Sequence, residues 1–256
     1  MKKVNLLGIG ISVGRYDSFL EQLFQLAAIK ESCFICVSNV HMLVEAYLDA
    51  NFSKIVNSAK ICTPDGMPLV WGLKLLYGIH QDRVAGMDIL PDILRTAEQK
   101  SIPIFFYGGS PEMLAKTSSF VDEKYPSLKI GGMHSPPFRP LTEQEELNDI
   151  ELINASGAKI LFVVLGCPKQ EKWMAKMNGK IHMPMIGIGG ALPVMVGLQS
   201  RAPEWIQNAG LEWLFRLMQE PRRLFKRYAV TNSLFSFLLI KAYIKGLFKR
   251  NDYSTS

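Results

Sequence analysis

The sequence is poor in cysteine, with four in 256 residues. Cys33 and Cys36 form a C-x-x-C pair inside an apolar run, but Cys62 and Cys167 stand alone, and no histidine pair follows at zinc-finger spacing. This shortage disfavours a structural zinc site. It is typical of a cytosolic protein whose thiols are reduced and buried.

Long apolar segments are missing as well. A membrane-spanning helix needs about 20 predominantly apolar residues, and the apolar run in the C-terminal part, residues 234–240, is short and contains a serine. At the N-terminus, two lysines precede a short apolar run that glycines interrupt, without a small-residue cleavage site. We therefore expect neither a spanning helix nor a signal peptide.

Nucleotide and metal motifs are incomplete. The stretch "GIGISVG" supplies Gly8, Gly10 and Gly14, but the last spacing is one residue too long for the dinucleotide fingerprint, and no suitably placed acid follows. This disfavours NAD and FAD. A D-x-D metal motif is also missing, so we expect no cofactor and no required metal.

Excess positive charge is confined to the C-terminal part of the chain. The formal net charge is +6, and the residues from Arg201 onward contain ten Lys or Arg against four Asp or Glu, which accounts for the whole excess. The first 200 residues are neutral in sum. Because the basic part contains no recognisable nucleic-acid-binding module, nucleic acid is disfavoured as the partner.

The first 200 residues alternate apolar runs of strand length with amphipathic helical stretches. This order is typical of a mostly parallel sheet with helices on both faces, so we predict an α/β domain over residues 1–200. A single helix is predicted over residues 40–59. The runs predicted as strands are "KVNLLGI", "CFICVSNV", "IPIFFYGG", "SLKIGGMH", "AKILFVVLG" and "MPMIGIGG".

Glycines cluster at three of the predicted strand ends. Gly108 and Gly109 follow one strand, Gly166 follows another, and Gly189 and Gly190 follow the last. Ligands of such sheets bind beyond the carboxyl ends of the strands, glycine permits close backbone approach, and helix N-termini attract anions. The three ends together are therefore predicted to bind a nucleotide diphosphate, whereas each alone is typical of a tight turn.

Residues 201–256 are predicted to form a basic helical appendage in which aromatic and basic side chains alternate. Arg216, Arg223 and Arg227 are spaced by seven and four residues, which predicts one face of a helix, and lysines recur every fourth residue from Lys241 to Lys249. Such segments suit an anionic membrane surface, at about 1 kcal/mol per basic residue. A helical hairpin packed on its own domain, or in a homo-oligomer interface, is the alternative.

The stretch "TPDGMPLVWG" places Asp65 between a turn and an apolar segment. A carboxylate there, near anion-binding glycines, is suited to remove a proton from a sugar hydroxyl while a nucleoside diphosphate leaves. The leaving group then needs compensating positive charge or helix N-termini. The Pro-Asp-Gly order, taken alone, favours a turn or N-cap residue instead.

Ordered blocks over nearly the whole chain resemble the bacterial WecG/TagA/CpsF glycosyltransferase family. They are "TPDGMPLVWG", "RVAGMDIL", "FFYGGSPE", "HSPPFRPLT", "VVLGCPKQEKWM" and "IGIGGALPVMVG", followed by "RAPEWIQNAGLEWLFRLMQEPRRLFKRY". The resemblance implies a Rossmann-like, inverting, metal-independent enzyme at the cytoplasmic face of the cell membrane. It would transfer a sugar from a UDP-sugar to a polyprenyl-diphosphate-linked saccharide in surface polysaccharide biosynthesis, and its C-terminal appendage would help to close the active site.

The resemblance also assigns roles residue by residue. It implies that Asp65 is the catalytic base and that Asn39 and Gln170 contact substrate. It implies that Arg216, Arg223 and Arg227 of the appendage neutralise the diphosphate. The other positions assigned to substrate binding are Gly66, Arg83, Gly108, Gly109, Gly189 and Gly190.

Two positions depart from the residues that are usual in the family. Val37 stands where a threonine is common, and Pro193 stands where an aspartate usually follows the glycines. A catalytically impaired scaffold at the membrane surface is therefore one alternative, and a nucleotide-binding oxidoreductase is another. The donor sugar, whether N-acetylmannosamine, its uronic acid, glucose or a similar sugar, is not fixed by these residues.

Overall fold

The computed structural model describes residues 1–252, without the side chains of residue 208 and residues 247–252. Lys249 of the predicted basic face and the end of the predicted 201–256 appendage therefore lie outside the described part. The strands are β1 (Lys2–Leu6), β2 (Ile9–Val13), β3 (Cys33–Ser38), β4 (Ile61–Pro64), β5 (Ile104–Gly108), β6 (Ile130–His134), β7 (Ile160–Val164) and β8 (Pro184–Gly187).

Helices connect the strands and continue the chain beyond them. Those between the first and last strands are α1 (Tyr16–Ala28), α2 (Val40–Leu48), α3 (Ala50–Ser58), α4 (Met67–Tyr77), α5 (Gly86–Gln99), α6 (Pro111–Lys124), α7 (Glu143–Ala155) and α8 (Lys169–Met177). Those after the last strand are α9 (Ala191–Met195), α10 (Glu204–Asn208), α11 (Glu212–Gln219) and α12 (Pro221–Asp252). None of the described helices is both long enough and apolar enough to cross a membrane.

Six strands form one parallel sheet in the order β4-β3-β8-β7-β5-β6. Side chains of successive strand residues point to opposite faces, and each face carries its own apolar core. Cys33 belongs to one of these cores and Cys36 to the other, so the C-x-x-C pair is divided by the sheet. The predicted α/β architecture, with a mostly parallel sheet and helices on both faces, is confirmed.

The prediction of one strand for "KVNLLGI" is wrong. The chain turns at Leu7 and Gly8, whose φ angles are 52° and 106°, and β1 pairs with β2 as an antiparallel hairpin outside the parallel sheet. Glycine adopts positive φ without steric cost, which permits this turn. The glycines of "GIGISVG" therefore belong to a hairpin rather than to a strand of the parallel sheet.

The single helix predicted over residues 40–59 is divided at Asp49. Its backbone is extended, and its carboxylate accepts hydrogen bonds from the N–H groups of Asn51 and Phe52 at 2.9 and 3.1 Å. An aspartate in this position caps a new helix. The apolar periodicity continues across the break, which is why the pattern alone predicts one helix.

Helix α12 packs against α2 and α4. Gly72 of α4 lies where Leu6 and Leu239 converge, because an added Cβ would be 3.2 and 3.5 Å from their methyl groups. The lack of a side chain at Gly72 thus allows α12 to approach α4 closely. This packing brings the C-terminal helices over the carboxyl ends of β3 and β4.

Candidate active site

Asp65 directly follows β4 and lies at the carboxyl edge of the sheet. Its backbone N–H donates to the carbonyl of Ser38 at 2.7 Å, which extends the pairing with β3 by one residue. One carboxylate oxygen accepts from the N–H of Gly86 at 2.9 Å. These two bonds fix both the backbone and the side chain of Asp65.

The surroundings of Asp65 raise the pKa of its carboxyl group to about 6. Burial is the main cause, and the negative charge of Glu212 acts in the same direction. The hydrogen bond from Gly86 opposes the shift, as do the positive charges of Arg83 and Arg216. A carboxylate with a pKa near the working pH is a more effective proton acceptor than an ordinary aspartate.

A cavity of about 370 Å³ opens over Asp65, between the sheet edge and helices α2, α4, α11 and α12. Its lining combines polar, aromatic and aliphatic side chains from two distant parts of the chain. The lining residues are Asn39, Val40, His41, Asp65, Gly66, Met67, Pro68, Trp71, Met87, Gly210, Glu212, Trp213, Arg216, Arg227, Tyr228, Thr231, Asn232, Phe235, Ser236 and Leu239. The size and mixed lining are typical of a small-molecule site.

Two of the sequence-predicted residues join Asp65 at the sheet edge. Asn39 follows β3 and caps α2, with its Oδ1 accepting from the N–H of Met42 at 3.2 Å. Gly66 precedes α4 as its N-cap residue. Both line the cavity, so Asn39 serves the fold as a helix cap and still faces the space beside Asp65.

The three predicted arginines do not lie on one helical face, because the helix ends at Gln219 and a new one begins at Pro221. Arg216 of α11 and Arg227 of α12 nevertheless both line the cavity. Arg223 does not: its side chain is 61% exposed and pairs with Glu220.

Arg216 reaches the sheet edge at Gly190. A Cβ added to Gly190 would lie 3.0 Å from a guanidinium nitrogen of Arg216, so a larger residue would displace the guanidinium. Because Arg216 also lines the cavity that contains Asp65, the chain just after β8 lies beside this cavity. Gly190 therefore makes room for an arginine side chain.

Arg83 lies outside the cavity lining and is held by two carboxylates. Its guanidinium contacts Glu212 at 2.6 Å and Asp88 at 2.8 Å, and its side chain is 16% exposed. Glu212 begins α11, whereas Asp88 belongs to α5. These two ion pairs of Arg83 attach α11 to the α/β part. The pair with Glu212 also places the Glu212 carboxylate near Asp65.

Gln170 is 4% exposed and does not line the cavity. Its Oε1 accepts from the N–H of Gly166 at 3.1 Å, and its Nε2 donates to Glu171 at 2.8 Å. It also packs against Gly189, where an added Cβ would be 3.0 Å from Oε1. In this arrangement Gln170 joins the exits of β7 and β8.

Gly108 is the last residue of β5 and Gly109 follows it. This strand lies four strands from β4, about 19 Å away at usual strand spacing. The N–H of Gly109 donates to Val164 at 2.9 Å, and that of Gly189 donates to Val163 at 3.4 Å. These N–H groups are therefore already used within the sheet. At Gly108, an added Cβ would be 2.6 Å from a backbone oxygen, so this glycine permits close strand packing.

Several cavity residues were not identified from the sequence. His41, Trp71, Glu212, Trp213 and Thr231 were given no role in the site, although Trp71, Glu212 and Trp213 lie within the quoted blocks, because their helices meet only in the folded chain. Among the residues whose side chains are described, no group of three His, Cys, Asp or Glu is placed to hold a metal ion. The expectation of metal-independent chemistry stays a prediction.

A comparison with known families bears on this site. The protein-family model described as "Glycosyl transferase WecG/TagA/CpsF family" matches residues 4–249. The chain belongs to this family. The WecG/TagA/CpsF match contains the whole cavity lining, from Asn39 to Leu239, and confirms the resemblance seen in the sequence blocks. Membership of this family implies that the protein is a glycosyltransferase in cell-surface polysaccharide biosynthesis.

Proposed function

We propose that the protein is an inverting glycosyltransferase that moves a sugar from a UDP-sugar to a polyprenyl-diphosphate-linked saccharide. The observation that carries this proposal is the carboxylate of Asp65, with its pKa near 6, in a cavity that also contains Arg216. A proton acceptor and a cation in one cavity are what hydroxyl activation and diphosphate departure require. Membership of the WecG/TagA/CpsF family supports the reaction class.

The transfer is one displacement at the anomeric carbon of the donor sugar. The acceptor oxygen forms a bond to this carbon while its proton passes to a carboxylate oxygen of Asp65. The bond between the anomeric carbon and the UDP oxygen breaks on the opposite side, and UDP leaves with the electron pair. A single displacement of this kind inverts the anomeric configuration.

The cavity residues divide the supporting roles. Arg216 compensates the negative charge that grows on the departing diphosphate. Asn39 and the backbone at Gly66 flank Asp65 and contact the donor sugar. Because guanidinium groups supply the positive charge in this scheme, we expect turnover to persist when divalent cations are chelated.

The outer surface of α12 supports docking on an anionic membrane at its cytoplasmic face. Phe237, Ile240 and Ile244 are 60%, 58% and 45% exposed, and the exposed Lys241 and Lys245 lie among them. Apolar side chains beside basic ones suit the boundary between lipid head groups and acyl chains. This docking would bring the cavity to lipid-linked acceptors.

Replacing Lys241 and Lys245 together by glutamine should weaken binding to vesicles that contain anionic lipid by about 30-fold, since each lysine near the surface contributes about 1 kcal/mol. Co-sedimentation at low and high salt measures this loss. The exposed Lys30 and Lys100, on the α/β part, provide a matched double variant that should bind like the wild type. Equal losses in the two double variants would refute docking through α12.

The position of two unusual residues favours the enzyme over a catalytically impaired scaffold. Val37 packs in an apolar core, 8% exposed, and Pro193 is buried in α9. Neither lines the cavity, so their departures from the family's usual residues leave its polar groups in place. The oxidoreductase alternative is disfavoured, because its glycine motif belongs to the β1–β2 hairpin.

The decisive experiment measures UDP release by the purified protein across a panel of UDP-sugars. A short polyprenyl-diphosphate-linked saccharide serves as acceptor, and the Asp65→Ala variant as control. Acceptor-dependent release from one donor, lost in the variant, would support the proposal and name the donor sugar. Release that the variant retains would refute the role of Asp65, and release without acceptor would indicate hydrolysis.

A further inference from the structure

Three buried polar atoms of the cavity residues have no hydrogen-bond partner among the described residues. They are Nε of Arg227, Oγ1 of Thr231 and Nδ1 of His41. Thr231 is only 3% exposed, so water has little access to its hydroxyl. A buried polar atom without a partner destabilises the fold, and such groups in native proteins call for an explanation. A bound ligand would satisfy them.

The two cavity arginines act on different neighbours. Arg216 is among the charges that lower the pKa of Asp65. Arg227 instead acts on His41, whose pKa is lowered to about 4 by burial and by this positive charge. The cavity thus has one cationic position beside the proposed base and a second beside His41.

One face of α12 changes from polar to apolar along the cavity. Arg227, Thr231, Phe235 and Leu239 recur every fourth residue, which places them on one helical face, and all four line the cavity. A cation is followed by a hydroxyl and then by two apolar side chains. This order matches an amphiphile with an anionic head and a hydrocarbon tail, whereas a sugar nucleotide has no such tail.

We propose that Arg227 and Thr231 bind the diphosphate of the lipid-linked acceptor, at a subsite separate from Arg216, and that the prenyl chain runs over Phe235 and Leu239. The inference rests on the proposed function. Phosphate oxygens accept hydrogen bonds from Nε–H of Arg227 and from the hydroxyl of Thr231. His41 adds a neutral ring nitrogen, which donates or accepts according to its tautomer.

The test compares the binding of two diphosphates to the full-length protein by calorimetry. Farnesyl diphosphate represents the acceptor head and tail, and UDP represents the donor. Arg227→Lys keeps the charge but removes Nε–H, and Thr231→Val removes the hydroxyl at nearly constant volume. Each variant should bind farnesyl diphosphate about tenfold more weakly and UDP within twofold of the wild type, since only the lipid diphosphate loses a hydrogen bond to a charged group.

Arg216→Lys should show the opposite pattern, with weaker binding of UDP only. Ser233→Ala, which removes an exposed hydroxyl on α12 outside the cavity lining, should change neither affinity. Thr231→Ser, unlike Thr231→Val, keeps a hydroxyl and should bind like the wild type. This variant separates the loss of a donor from altered packing. Farnesol and inorganic pyrophosphate, each tested alone, separate the contribution of the tail from that of the head.

Equal weakening of both ligands by Arg227→Lys and Thr231→Val would overturn the inference, because the cavity would then have one shared diphosphate position. Unchanged binding of farnesyl diphosphate in both variants would overturn it as well. The proposed function fails differently: UDP release would be missing with every donor tested. The subsite would survive that failure if the variants still separated the two diphosphates.

Discussion

The cavity has two walls that differ in how their polar groups are bonded. At the sheet edge, Asp65 accepts from Gly86 and Asn39 accepts from Met42. In the helical wall, Arg227 and Thr231 keep buried polar atoms without partners among the described residues. A wall whose groups are bonded within the protein holds a reacting side chain in a fixed position. A wall with unbonded groups leaves donors and acceptors for the ligand that we propose to bind there.

The largest effect is expected from a change to the reacting side chain of the sheet-edge wall. Asp65→Asn keeps the shape of the side chain and an oxygen for Gly86 but removes the proton acceptor. Turnover should fall by about 10²–10⁴-fold with donor affinity nearly unchanged. Steady-state UDP release and UDP-sugar binding measure the two quantities. A loss of turnover below threefold would exclude Asp65 as the base.

The next effect separates arginines of the C-terminal part that the sequence treats alike. Arg216→Ala should lower kcat/KM by about 10²-fold, because Arg216 lines the cavity and, in the proposed reaction, compensates the charge of the departing diphosphate. Arg223→Ala should stay within threefold, because the Arg223 side chain is exposed and pairs with Glu220. The same UDP-release assay compares them. Equal losses would place Arg223 in the active site.

The third prediction concerns the cost of holding a carboxylate at the sheet edge. The folded-state pKa of Asp65, about 6, lies above the ordinary value, so the charged form disfavours folding. This penalty is present in full above about pH 6 and vanishes below about pH 4. Asp65→Asn should therefore be more stable than the wild type by about 3 kcal/mol at pH 8 and no more stable at pH 4. Denaturant unfolding at both pH values measures the difference, and a pH-independent gain would contradict it.

The smallest effect tests the connection between the walls. Glu212 lies in the helical wall and its charge raises the pKa of Asp65. In Glu212→Gln this charge is lost and Arg83 is left without one of its partners, so the acid limb of the kcat/KM profile should move to lower pH by a fraction of a unit. Glu204→Gln, at an exposed position of α10, should leave the limb in place. A shift to higher pH would contradict the prediction.

The parallel sheet was predictable from sequence because buried strands and amphipathic helices leave different periodicities. The break after Gln219 also had a signal, since Pro221 disfavours helical conformation in the residue before it. The hairpin at Leu7 and the break at Asp49 were hidden within continuous apolar patterns. In these places a turn or cap residue decides the structure.

The sheet-edge wall of the candidate site was predictable from strand ends, whereas in the helical wall only Arg216 and Arg227 were named in advance, from helical spacing and the family resemblance. Asp65, Asn39 and Gly66 follow strands, and their place in the sheet follows from strand order. The helical wall depends on contacts between distant segments, such as Arg83 with Glu212, which lie 129 positions apart. No local pattern encodes such a pair, so neither Glu212 nor Thr231 could be assigned to the cavity from the sequence.

The order in which the chain is made has a consequence for when this cavity exists. Strand β3 pairs with β4 nearby in the chain, but its other neighbour is β8, near residue 184, and α12 comes later still. While the ribosome still holds the last segment, Asp65 faces an incomplete wall and the proposed acceptor subsite is not yet formed. Until α12 has emerged, a nascent chain therefore lacks the helical wall of the cavity and the acceptor subsite that we propose there.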